Sequence, residues 1–121
     1  MRTSQQQDGG GAEAIALAHL QDHGMILLER NFTCRVGEID LLMRDGDTLV
    51  MAEVRYRTSN IEDALHSIGF QKRQRIRRAA MKFLQENPAL AEHPLRFDVI
   101  AISGLLEKPH IVWIADAFQD E

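Results

Sequence analysis

The sequence predicts a single α/β domain, a mixed central sheet flanked by helices, on three observations. Helix-period and strand-period segments alternate along 121 residues, the length of one core rather than two. The turn dipeptide Asp45-Gly46 joins two stretches in which apolar and polar residues alternate, the pattern of a β-hairpin. A longer segment, Phe70 to Leu84, sets Ile76, Ala79, Ala80, Phe83 and Leu84 on one helical face.

Taken in order, residues 1–11 are polar and end in Gly9-Gly10-Gly11, without the basic-then-apolar pattern of a signal peptide. They are expected to be a disordered tail, with residues 119–121 as its C-terminal counterpart and 12–118 as the folded domain. Ala12, Ile15, Ala16 and Leu20 recur at helical spacing and Gly24 stands where a C-terminal cap belongs, so a first helix covers this stretch. Met25 to Leu28, followed by Arg30-Asn31-Phe32, and then Val36 to Met43 read as two strands, and Thr48 to Val54 resumes the strand pattern beyond the turn. Asn87-Pro88 stops the second helix. Phe97 to Ile102 and His110 to Ile114 are apolar runs of strand length that complete the sheet.

Composition narrows the function classes. With 45% hydrophobic and 26% charged residues the chain has enough apolar material for a core. No apolar run approaches the roughly 18 residues of a membrane span, and the single Cys34 excludes an internal disulfide or a cysteine-built zinc cage; a cytoplasmic location is expected. Cys34 reads as a small strand hydrophobe. The net charge of −4 does not suit a general nucleic-acid coat, yet Lys72, Arg73, Arg75, Arg77, Arg78 and Lys82 follow one another without an acidic residue. Arg75, Arg78 and Lys82 fall on one helix row opposite the apolar stripe, where they either track phosphates or form a solvated face. His19 reads as a half-buried helix residue, and the other histidines show no paired metal spacing.

The hairpin carries the chemistry. If Asp45 and Gly46 are its two loop residues, Glu38 lies opposite Glu53 and Asp40 opposite Met51, so these three carboxylates share one face with Arg55. Ile39, Leu41, Val50, Ala52 and Val54 then point to the other face. Clustered hard oxygen ligands repel one another unless a cation sits among them, which suits Mg²⁺ or Mn²⁺. The same charges also serve to solvate an exposed hairpin face.

The segments Gly37-Glu38-Ile39-Asp40-Leu41-Leu42, Glu53-Val54-Arg55-Tyr56-Arg57 and Arg96-Phe97-Asp98-Val99 together resemble the UPF0102 (YraN) family of small bacterial proteins. Asn31-Phe32-Thr33-Cys34-Arg35 and Gln71-Lys72-Arg73 add supporting matches. That family is similar in fold to PD-(D/E)XK nucleases of the Holliday-junction resolvase type, which implies a restriction-endonuclease-like sheet. Glu13, Asp40 and Glu53 match the carboxylates that hold Mg²⁺ or Mn²⁺ there, and the resemblance implies catalytic roles for Asp40, Glu53 and Arg55. It further implies DNA, branched or single-stranded, as substrate, and a homodimer by analogy with the resolvases; the basic run of the second helix supplies Lys72, Arg73, Arg75, Arg78 and Lys82 as candidate contacts. Arg55 stands where the pattern has lysine; a guanidinium stabilises negative charge but does not act readily as a base. Three readings therefore stay open: a metal-dependent endodeoxyribonuclease, a nucleic-acid-binding module with a degenerate site, and an interaction protein that keeps only the fold.

Overall fold

In a computed structural model, which describes residues 4–58 and 60–118, the chain forms α1 (Ser4–Asp22), β1 (Ile26–Cys34), β2 (Gly37–Asp45), β3 (Thr48–Arg57), α2 (Ile61–His66), α3 (Phe70–Glu86), β4 (Leu95–Ser103) and β5 (His110–Ile114). A short 3₁₀ turn at Pro88–Leu90 follows α3. The sheet runs β1-β2-β3-β4-β5. Its pairs are antiparallel except β3–β4, which is parallel and needs the crossover that α2 and α3 supply. The architecture is thus α/β with a mixed five-stranded sheet between helices, as a restriction-endonuclease-like fold requires. Among the described residues no helix is long and apolar enough to cross a membrane.

Both faces of the sheet are buried. Ala12, Ala16 and Leu20 of α1 pack on Leu41, Met43, Val50, Ala52, Ile100 and Ile102. Ile76, Ala79, Ala80 and Phe83 of α3 pack on Leu42, Leu49, Met51, Phe97 and Val99 from the other side. Both helices therefore bury the stripe expected of them. Residues 1–3 and 119–121 of the expected tails lie outside the described residues, and from Ser4 onward the backbone is helical.

The first helix ends as its sequence requires. Gly24 takes φ +91°, its N–H bonds to Gln21 O, and the N–H of Met25 reaches back to Leu20 O. This is the Schellman pattern, and the buried pair Leu20 and Met25 supplies its hydrophobic contact. Asn87 ends α3 with its side-chain amide donating to Phe83 O at 2.9 Å.

Gly37 fixes how closely α3 approaches β2. A Cβ on Gly37 would come within 2.5 Å of the Arg75 carbonyl oxygen, which belongs to the helix backbone and cannot swing aside. Gly37→Ala should therefore destabilise the fold by about 1–3 kcal/mol, the usual cost of overpacking. Urea denaturation measures it; an unchanged midpoint would show that the helix shifts without penalty.

Candidate active site

The turn between β2 and β3 sets the register of the candidate site. Asp45 pairs with Thr48, so the two loop residues are Gly46 and Asp47, not Asp45 and Gly46. Gly46 has φ +60°, whereas Asp47 is not among the positive-φ residues, the type II′ pattern of glycine at the first loop position. The alternative would place the Cβ of Asp45 in that left-handed position, and Asp45 is instead held in the strand by an ion pair with Arg96 at 3.2 Å. Leu42, not Asp40, therefore faces Met51, and the expected pairing of Glu38 with Glu53 does not occur. The turn moves by one residue but cross-strand partners move by two, so Asp40 and Glu53 stay on one face. Their carboxyl groups adjoin just beyond the last paired residues, Leu41 and Ala52.

The β2–β3 ladder stops at Leu41↔Ala52. Beyond it, the N–H of Val54 bonds to Asp40 Oδ2 at 2.9 Å, a carboxylate in place of a strand carbonyl. β3 continues beside β4 as far as Arg57↔Ser103, while β2 continues beside β1. The sheet thus splits where Asp40 and Glu53 meet. Side-chain alternation also breaks there: Ile39 is buried on the α3 side with Leu42, while Leu41 faces α1. This corrects the expectation that Ile39 and Leu41 share a face. Its cause lies across the strand, where Asn31, between the pairs Arg30↔Leu41 and Phe32↔Ile39, takes φ +54° and twists the edge.

Glu53 is the unusual group. It is 2% exposed, and both its carboxyl oxygens are buried without a hydrogen bond. Two cations stand near Oε2, Lys72 Nζ at 3.3 Å and an Arg55 guanidinium nitrogen at 3.6 Å. Burial first, and then the adjoining Asp40 carboxyl, push Glu53 up to about 9; Lys72 and Arg55 pull the other way without prevailing. Desolvation of a carboxylate explains the direction.

Lys72, expected among the phosphate contacts, reaches from the first turn of α3 onto Glu53 at 3.3 Å, closer than Arg55 at 3.6 Å, a contact that the sequence reading does not include. No local signal in the sequence marks this contact. Arg75, Arg78 and Lys82 are exposed as expected. Lys82 lies 4.0 Å from Glu86, while Arg73 sits over the Phe70 ring at 6.0 Å.

Glu13 and Glu38 have surroundings of their own. Glu13 Oε1 accepts hydrogen bonds from Arg30 and from the Asn31 side chain, at 3.1 and 3.0 Å, and so anchors the strained residue across from Asp40. Glu38 is exposed and lines a groove of about 330 Å³ with Cys34, Arg35, Lys72 and Arg75. Among the described residues no three His, Cys, Asp or Glu side chains converge as metal ligands.

Asp98, in contrast, is a closed structural carboxylate. It is fully buried and accepts hydrogen bonds from Arg96 at 3.1 and 3.3 Å, Trp113 Nε1 at 2.9 Å and the N–H of Asp116 at 2.9 Å.

Comparison with known proteins identifies the family. The model of the uncharacterised protein family UPF0102 matches residues 12–102, a span that includes Asp40, Glu53, Arg55, Lys72 and Asp98. The chain is 49% identical over 115 residues to a UPF0102 protein of Stutzerimonas stutzeri, covering 94% of this chain and 96% of that one. It is 48% identical over 119 residues to a UPF0102 protein of Pseudomonas syringae pv. syringae, covering 97% of each, and 45% identical over 120 residues to one of Xanthomonas campestris, covering 98% and 97%. With the family model matching most of its length and relatives similar from end to end, the chain belongs to the UPF0102 family.

Proposed function

We propose that this protein is a Mg²⁺- or Mn²⁺-dependent endonuclease that cleaves DNA at the split between β2 and β3. The observation that carries the reading is Glu53, a buried carboxyl with unsatisfied oxygens set against Asp40. A structural carboxylate is closed off by well-formed hydrogen bonds, as Asp98 is; Glu53 has two cations at ion-pair distance and the adjoining Asp40 carboxyl instead, and such a group is suited to a ligand that the protein itself does not supply. The hard oxygens of Asp40 and Glu53 fit a divalent ion that would keep several waters, as Mg²⁺ commonly does. Glu13, tied to Arg30 and Asn31, would support the strand rather than join the first ligands.

A bound Mg²⁺ or Mn²⁺ supplies Lewis acidity and makes its water more acidic. Lys72 and Arg55 stand beside the carboxyl pair, where they would stabilise negative charge developing on a phosphodiester. Lys72 brings the ammonium that Arg55 does not provide, from the helix rather than the strand. Arg75, Arg78 and Lys82 present an exposed row of charge on the same helix, suited to the phosphates of a bound strand.

The metal part of the reading is tested by binding alone. With burial and the adjoining Asp40 pushing the Glu53 carboxyl up to about 9, loading Mn²⁺ at neutral pH should release about one proton per ion. Mn²⁺ should also raise the melting temperature of the wild type and have little effect on Asp40→Asn. Calorimetry in two buffers of different ionisation enthalpy and a thermal scan check both; equal stabilisation of the two proteins would count against the site.

Cutting and binding are separable by substitution. Lys72→Gln should lower Mg²⁺-dependent cleavage by about 10²–10³-fold, and Arg55→Lys should raise it. Replacing Arg75, Arg78 and Lys82 together with Gln should weaken DNA binding for every sequence and flatten its salt dependence by about two to three log–log units. If wild type and Arg55→Lys bind branched, single-stranded and duplex DNA but cut none, the binding-module reading replaces this one.

A further inference from the structure

The C-terminal turn of α1, on the face of the sheet opposite α3, brings His19 and His23 together. They stand four residues apart, the spacing that places side chains above one another on a helix. Their ring centroids are 4.6 Å apart at an interplanar angle of 42°. Trp113 of β5 stands edge-on to both rings, at 5.9 Å from His19 and 5.1 Å from His23. Its indole N–H is already committed to Asp98, so it is a wall of this cluster and not a donor to it.

One nitrogen of His23 has a partner in the helix backbone. His23 Nδ1 lies 2.8 Å from the His19 carbonyl oxygen, which can only accept, so Nδ1 is the donor there and Nε2 is the nitrogen left to meet a ligand. A histidine that ligates a metal shows this same outer bond from its other nitrogen to a carbonyl. Burial and, after it, the neighbouring His23 lower the proton affinity of His19, against the smaller opposing effect of Asp22. Two imidazoles on one tetrahedral ion, with metal–nitrogen bonds of about 2.0–2.1 Å, hold their centroids about 5 Å apart. The separation in this pair is close to that already.

We propose that His19 and His23 form a two-histidine chelate for a borderline transition-metal dication of the Zn²⁺, Ni²⁺ or Cu²⁺ class. Imidazole nitrogen selects these ions over Mg²⁺, which prefers oxygen, so the site is chemically distinct from the carboxyl pair on the other face. Among the described residues no third His, Cys, Asp or Glu completes it, and water fills the remaining positions. The ion would sit beside Trp113, the single tryptophan of the chain.

The test is a titration of the untagged full-length protein with NiCl₂, following Trp113 fluorescence. Wild type should be quenched saturably with one equivalent bound, and Mg²⁺ should leave the signal unchanged. His19→Gln and His23→Gln should each weaken the response by roughly 10²-fold, because each removes one arm of a bidentate ligand. His23 is exposed, so its variant keeps the fold, which near-ultraviolet circular dichroism verifies. Absent or unsaturable quenching of the wild type overturns the proposal, as does quenching of His23→Gln at wild-type concentrations of Ni²⁺.

Discussion

Asp98→Ala is expected to lower the unfolding free energy by about 3–5 kcal/mol, the cost of breaking a buried ion pair by removing one partner. The carboxylate accepts from a guanidinium, an indole and a backbone N–H inside the sheet, and alanine would leave the indole and the amide buried without acceptors. Arg96 keeps its second partner, Asp45, which limits the loss. Asp98→Asn retains an acceptor and should cost less. Urea denaturation of the two variants measures the order; a loss below about 1 kcal/mol for Asp98→Ala would mean that water or a rearranged Arg96 replaces the network.

Glu53→Gln is expected to act in the opposite direction, stabilising the metal-free protein at pH 8 by several kcal/mol. The carboxyl rises from 4.5 to about 9 on folding. Below about pH 4.5 it is protonated in both folded and unfolded chains, and its contribution to stability is fully present. Between about 4.5 and about 9 the unfolded chain ionises while the folded one holds its proton, so stability falls by about 1.4 kcal/mol for each pH unit. Above about 9 both states are ionised and the fall ends. Glutamine resembles the protonated carboxyl and does not titrate, so the variant should lose this slope and match the wild type near pH 4. Chemical denaturation from pH 4 to pH 9 compares the slopes; parallel curves would show that Glu53 is ionised in the folded protein at neutral pH. A stability gain paired with loss of the Mn²⁺ response is the signature of a residue kept for binding at the expense of the fold.

Much of the frame was legible because its signals are periodic. The apolar stripe of α3, the cap at Gly24 and the strand runs on either side of the turn each repeat one physical requirement several times. α2 went unread because Ile61–His66 is only six residues long and buries Ala64 alone, too little for a period to emerge. The hairpin loop was misplaced by one position because Asp45-Gly46 and Gly46-Asp47 both offer a glycine, and the choice depends on a distant ion pair with Arg96. The facing of Asp40 and Glu53 survived that error through the two-residue period of strands. The alternation break at Ile39 did not, since it follows from the backbone of Asn31 on the neighbouring strand. The inward turn of Lys72 was equally invisible, because nothing local distinguishes a lysine that reaches a buried carboxyl from its exposed neighbours.

The irregular path of β1 has a consequence for how copies of this protein meet. An outer strand with a free, regular backbone edge invites another chain to extend the sheet, the first step of aggregation. β1 is such an outer strand and exposes Ile26 and Leu28. Its pairing with β2 shifts between Leu27 and Glu29, and Asn31 then reverses the local twist at φ +54°. Any incoming strand would lose alignment within a few residues and meet Glu29 and Arg30 on the way. The bend that Glu13 anchors beside Asp40 therefore also acts as a guard against edge-to-edge fibre growth.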